Sequence, residues 1–319
     1  MKIEEMIKGC KTICISGHVK PDGDCIGSCL ALYDYIVSNY SDVMADVRLM
    51  PFLDKYRVLR NADQILTDSS EEKEYDLFIV LDSGDAERLG ENRKYFESAK
   101  KTVCIDHHIS NLKYADVNVV DGDASSTCEL LFRLLDEKKV TKACAEALYT
   151  GLVNDTGVFK HSCTTSETLE LAGRLMRYGI DAPQLIQKTF TDKTYAQTQI
   201  MGKALLQSMM FLDGKCVASL IKKDEMDLFG VTPNDMDGII DQLISITGVQ
   251  CAVFAYEVGN LQFKVSLRSK KSVDVSKIAL LFGGGGHVRA AGCTLNGTGY
   301  DVMNNVIAQV AWQLEEKTC

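Results

Sequence analysis

The runs YDLFIVLD (75–82) and KTVCID (101–106) carry unbroken apolar centres, LFIVL and VCI. A strand with one wet face alternates apolar and polar residues. A strand covered on both faces does not, and that state belongs to parallel sheets flanked by helices. TICIS (12–16) and MADVRLM (44–50) read as two further strands. Helical periodicity fills the intervals at CIGSCLALYDYIVSNY (25–40), KACAEALYTGLVND (142–155) and SETLELAGRLMRYG (166–179), where Gly179 supplies a stop. Such alternation specifies an α/β fold with right-handed crossovers. The second half differs. TYAQTQIMGKALLQSMM (194–210) reads as a long connecting helix, followed by the strand-like GKCVASLI, QCAVFAYEVGN and LQFKVSLRS. Gly259-Asn260 marks a hairpin between the last two. This half is expected to be a smaller mixed α/β domain with one or two helices. A chain of 319 residues readily holds two domains. The boundary is expected near 185–195, giving domains 1–188 and 189–319.

Ligands of an open parallel sheet bind beyond the carboxyl ends of its strands. Those ends carry His18, Asp22 and Asp24 in HVKPDGD, Asp82 closing YDLFIVLD, and Asp106-His107-His108 closing KTVCID. The helix 142–155 ends on Asp155. One aspartate at a strand end is commonly a cap or a turn former. Four element ends that all supply hard ligands point to metal. Carboxylates this crowded repel one another unless cations or protons neutralise them, and Gly23 is expected to let the loop turn so that Asp22 and Asp24 face different ions. Oxygen and imidazole donors, with no thiolate evident, favour Mn²⁺, with Mg²⁺ as the alternative, over structural zinc. There are too many donors for one ion. Two ions about 3.5–4 Å apart, bridged by a carboxylate, suit phosphoryl hydrolysis.

Composition narrows the partners. A net charge of −9 argues against coating long duplex nucleic acid, whose nonspecific binding depends on phosphate neutralisation. Twelve cysteines lie scattered, mostly in apolar runs and without a C-x-x-C pair, as in a reduced cytoplasmic protein. Cys25 and Cys29, one helical turn apart, read as packing, with a redox role as the alternative. No run approaches membrane-spanning length.

HVKPDGD, VLDSGD, DHHISN and NDTGVF, together with FGGGGHVRAAG (282–292), resemble the motifs of the DHH phosphoesterase superfamily over nearly the whole chain. The chain looks most like the short bacterial branch that cleaves oligoribonucleotides of a few residues and phosphoadenosine phosphate. The resemblance implies one ion on His18, Asp22 and Asp82, and a second on Asp24, Asp82, His107 and Asp155, with Asp82 as the bridge. It implies catalytic roles for Asp82, Asp106 and His108, the last two standing behind the metal ligands, orienting imidazole and facing the phosphate. It further implies that Arg268, Gly284, Gly285, Gly286 and His287 bind the substrate, with the active site in an interdomain cleft. Glycines 283–286 allow close backbone approach to an anion; the bland alternative is a flexible turn before a helix-like VRAAG. Lys160 stands where the family often has Arg after the DTGxF motif, keeping the charge without the bidentate fork. Substrates implied are short single-stranded RNA, 3′-phosphoadenosine 5′-phosphate or linear di-adenylate. A pyrophosphatase and a non-catalytic nucleotide-binding module are the alternatives, and a homodimer is left open.

Overall fold

The computed structural model describes residues 2–316 and divides between Asp192 and Lys193 into two compact units. The first unit holds strands β1 (Thr12–Ser16), β2 (Met44–Arg48), β3 (Ile65–Leu66), β4 (Leu77–Leu81), β5 (Thr102–Asp106) and β6 (Val117–Val120). They form one all-parallel sheet in the order β3-β2-β1-β4-β5-β6. The chain order reverses between β1 and β4, which leaves a crevice at their carboxyl ends. Ser16 pairs with Val80 there, so the residues two positions beyond each, His18 and Asp82, stand at the same level. Every residue of β4 and β5 is buried, as their unbroken apolar runs require.

The helices Gly23–Asn39 and Lys142–Asp155 pack tightly against one another on this sheet. Gly27 makes the approach possible. A Cβ there would lie 2.5 Å from the Ala147 carbonyl oxygen and 3.0 Å from the Gly151 nitrogen. Gly27→Val is therefore expected to destabilise the protein by about 1–3 kcal/mol, the usual cost of overpacking. A lower urea midpoint would show this, and an unchanged midpoint would contradict the close crossing.

Strands β7 (Met209–Phe211), β8 (Cys216–Ile221), β9 (Cys251–Gly259), β10 (Gln262–Ser269), β11 (Gly285–His287) and β12 (Ala290–Asn296) form the second unit's sheet, ordered β11-β12-β10-β9-β8-β7. Only the β8–β9 pair is parallel, so the sheet is mixed as expected. The expected hairpin joins β9 to β10. Side-chain alternation sends Val217, Ala252 and Phe254 to one face, against Ile200, Ile239 and Leu243. It sends Ala218, Val253 and Val265 to the other, against Ile278, Val302 and Val306.

Four expectations need correction. The helix expected over 194–210 stops at Leu206 and belongs to the second unit, with Ile200 and Ala204 fully buried; 209–211 is β7. Five α-helices, not one or two, accompany the second sheet among the described residues. VRAAG is the turn of the β11–β12 hairpin and the start of β12, where the glycines and Ala290-Ala291 permit close strand pairing. Finally, Gly23 is helical rather than a turn. Its missing side chain is required because a Cβ would lie 2.1 Å from Cγ of Asn154.

The cysteines match their reading as reduced thiols. All eleven described ones are free, nine of them buried, and Cys319 lies outside the described residues. Among the described residues no helix is long and apolar enough to cross a membrane.

Candidate metal centre

The loop leaving β1 buries His18, whose Nδ1 lies 2.7 Å from the Val19 carbonyl oxygen. That contact turns Nε2 toward Asp22 Oδ2, at 3.7 Å, and Asp82 Oδ2, at 3.5 Å. Asp22 caps the helix Gly23–Asn39, with Oδ1 accepting from the Asp24 and Cys25 N–H groups at 3.1 Å each. Asp24, fully buried on the first turn, accepts from the N–H groups of Thr127 (2.6 Å) and Cys128 (3.0 Å). Those amides open the helix Thr127–Leu134, whose positive end suits a buried carboxylate.

Asp82 follows β4 in a left-handed conformation, φ +58°, which aspartate tolerates better than most residues. Its two oxygens face opposite ways. Oδ2 meets His18, while Oδ1 accepts from the Thr127 hydroxyl at 3.1 Å and stands 3.6 Å from His107 Nε2. His107 Nε2 also lies 3.1 Å from Asp155 Oδ2 and 3.9 Å from Asp24 Oδ2. Asp155 ends the helix Lys142–Asp155. Gly157, Val158 and Phe159 then run left-handed in succession. For the β-branched Val158 that is a strained state, and it turns the chain away sharply beyond Asp155.

Donors around an octahedral ion at about 2.1 Å stand about 3 Å apart when adjacent and about 4.2 Å when opposite. The 3.1–3.9 Å spacings here fall in that interval. The donor set therefore fits divalent cations. Among the described residues, three clusters could hold an ion, with ligand atoms within 4.8 Å of one another: Asp24–His107–Asp155, Asp82–His107–His108 and His18–Cys25–Asp82.

The electrostatics agree. Burial raises the Asp24 carboxyl well above the ordinary carboxylate range, and neighbouring Asp155 and Asp82 raise it further. Burial and Asp82 push Asp155 up to about 6, although its contact with His107 opposes them. Burial lowers the imidazole pKa values, but neighbouring groups outweigh it. Cys25, then Asp22 and Asp82, push His18 up to about 12, and Asp155 and Asp24 push His107 up to about 11.

Asp106 is fully buried. Its Oδ1 meets His108 Nδ1 at 2.7 Å and its Oδ2 accepts from Asn111 Nδ2 at 2.6 Å. Both oxygens are thus engaged, one of them on the His108 ring. Asn111 and Thr127 were not foreseen as contributors. Asn111 stood unassigned within DHHISN. Thr127 follows Ser126, whose cap on Glu129 N–H carries the S-x-x-E signature of a helix start. Lys160 lies 5.9 Å over the Phe190 ring.

In the second unit, Arg268 pairs across strands with Ala290, and Ala290 with His287. Side chains of such a row share one face, so small Ala290 separates Arg268 from His287. The next row is Ser266, Gly292 and Gly285. Gly284 and Gly286 are demanded by backbone packing, since Cβ atoms there would lie 2.2 Å from Gly292 O and 2.5 Å from Ala291 Cα. Gly285 faces open space. Asp241 lies 3.3 Å from Arg268 Nε, an ion pair made across the fold that no local pattern announces.

The parallel sheet thus gathers aspartates and histidines at its switch point into clusters that could hold metal ions, the arrangement of a metal-using hydrolase. Residues 12–152 match the DHH family N-terminal domain and residues 214–316 the DHHA1 domain, and the chain belongs to the DHH family. It is 30% identical over 307 residues to the bifunctional oligoribonuclease and PAP phosphatase NrnA of Bacillus subtilis, covering 94% of this chain and 93% of the relative. It is 31% identical over 309 residues to the NrnA of Thermus thermophilus, covering 94% and 89%. The crystal structure of an exopolyphosphatase-related protein from Bacteroides fragilis superposes with TM-score 0.88 at 26% identity, over 98% of this chain and 94% of that one.

Proposed function

We propose that this enzyme is a two-ion, manganese-dependent hydrolase of short oligoribonucleotides and of 3′-phosphoadenosine 5′-phosphate or linear di-adenylate, acting in the cytoplasm. The observation that carries the two-ion reading is Asp82, whose oxygens face His18 on one side and His107 on the other. His18, Asp22 and Asp82 would hold one ion; Asp24, Asp82, His107 and Asp155 the other. When bound, such a pair supplies an activated water and neutralises charge on the phosphoryl oxygens. Asp106 fixes the His108 ring through Nδ1, and His108 would donate to a phosphoryl oxygen. Burial lowers the His108 pKa, but Asp106 outweighs it and raises it, which favours that donating form. Ligand completeness argues against a non-catalytic binder. The DHHA1 match, with its Gly-His hairpin, argues against a pyrophosphatase.

Arg268, Gly284, Gly285, Gly286 and His287 would grip the nucleotide. Arg268→Ala and His287→Ala are expected to lower kcat/KM for a dinucleotide by about 10- to 150-fold, the worth of one charge-assisted contact. The loss on bis-p-nitrophenyl phosphate, which offers no nucleotide, is expected to be much smaller. Equal losses on both substrates would bring these residues into the chemistry. Turnover of a panel holding pyrophosphate, phosphoadenosine phosphate, linear di-adenylate and RNA of 2, 3 and 24 residues tests the substrate class. Preference for pyrophosphate or for the 24-mer would overturn it.

A further inference from the structure

His18, Cys25 and Asp82 are 4%, 0% and 2% exposed, and each offers one ligand atom within 4.8 Å of the others. Cys25 lies on the first turn of the helix Gly23–Asn39, and its sulfur fills the space left by Gly17. A Cβ at Gly17 would stand 2.3 Å from that Sγ and 2.9 Å from the Leu81 carbonyl oxygen. The thiol is therefore wedged between the ends of β1 and β4, in the gap that His18 and Asp82 enter. The nearest thiol, Cys29, hydrogen-bonds with Cys25, whereas Cys128 Sγ donates to Asp24 O at 3.8 Å and Cys104 Sγ to Ser83 O at 3.8 Å.

We propose that His18, Cys25 and Asp82, with Asp22 opposite His18, form a mixed nitrogen, sulfur and oxygen site that captures a thiophilic divalent cation, zinc above all, in place of a hard catalytic ion. The inference rests on the metal-centre reading above and adds a ligand to it. Zinc takes tetrahedral sets of these donors at about 2.0–2.3 Å, and thiolate favours it over manganese or magnesium. On coordination the thiol proton leaves to solvent, the sulfur lone pair forms the metal bond, and nothing is oxidised or reduced. Zinc is then an inhibitor whose strength is set by Cys25.

Cobalt(II) titrated into the metal-free full-length chain tests this. Its visible d–d bands report loading, elemental analysis counts bound ions, and a near-ultraviolet sulfur-to-cobalt charge-transfer band reports thiolate. The native protein is expected to show both signals. Cys25→Ala should load cobalt without the charge-transfer band, Cys25→Ser, which keeps the volume, should do the same, and Cys29→Ala should retain the band. Zinc inhibition of the manganese-loaded enzyme should weaken in Cys25→Ala by about tenfold or more, the loss that even an outer partner of a ligand brings. Cobalt loading of the native chain without the charge-transfer band, or a band that survives in Cys25→Ala and Cys25→Ser, overturns the inference and leaves the metal centre standing. No cobalt loading at all overturns both.

Discussion

Asp82→Asn is expected to lower kcat by about 10³-fold or more, equal to about 4 kcal/mol of barrier, while the protein stays folded. The side chain reaches both halves of the centre, so one substitution disturbs two ions at once. The fold should tolerate the change for three reasons. Asparagine shares aspartate's tolerance of the left-handed backbone at φ +58°. Its carbonyl oxygen can still accept from the Thr127 hydroxyl, now 3.1 Å from Asp82 Oδ1. It also removes one charge from a crowded group that raises the Asp24 and Asp155 carboxyls. Circular dichroism and urea denaturation alongside turnover check all three. Near-normal kcat in a folded variant would sink the two-ion assignment.

Chelation is expected to abolish activity, and manganese to restore it better than magnesium, because imidazole ligands suit the softer ion. Reloading should depend on pH. Without metal, burial favours neutral imidazoles, but Cys25, Asp22 and Asp82 push His18 up to about 12, and Asp155 and Asp24 push His107 up to about 11, which favours the protonated rings at pH 7. A metal ligand must be the neutral imidazole, so loading releases protons and apparent affinity rises with pH. Calorimetric titrations in two buffers of different ionisation heat should therefore differ. Equal heats, or full activity in excess chelator with metal absence confirmed, would contradict this.

The first unit was legible because its signals are local. Apolar runs marked β1, β4 and β5, helical periodicity marked Lys142–Asp155, and the β4 run and that helix lead directly into Asp82 and Asp155. β3 and β6 were not foreseen: β3 has two residues, and no residue of β6 is fully buried. The second unit was read less well. QSMM extends the helical pattern of 195–206, yet Met209–Phe211 pairs with β8, a tertiary choice that periodicity does not encode. The glycine run was visible, but its division into Gly284 and Gly286, which serve strand packing, and open Gly285 depends on which backbone lies opposite. Cys25 was read as packing, and its sulfur does fill space beside Gly17. Only the fold shows that this space adjoins His18 and Asp82.

Anomalous diffraction from crystals loaded with manganese tests the central claim most directly. The expected result is two peaks about 3.5–4 Å apart, with Asp82 between them, one beside His18 and Asp22 and the other beside Asp24, His107 and Asp155. A single peak, or two peaks that do not share Asp82, would contradict the two-ion centre.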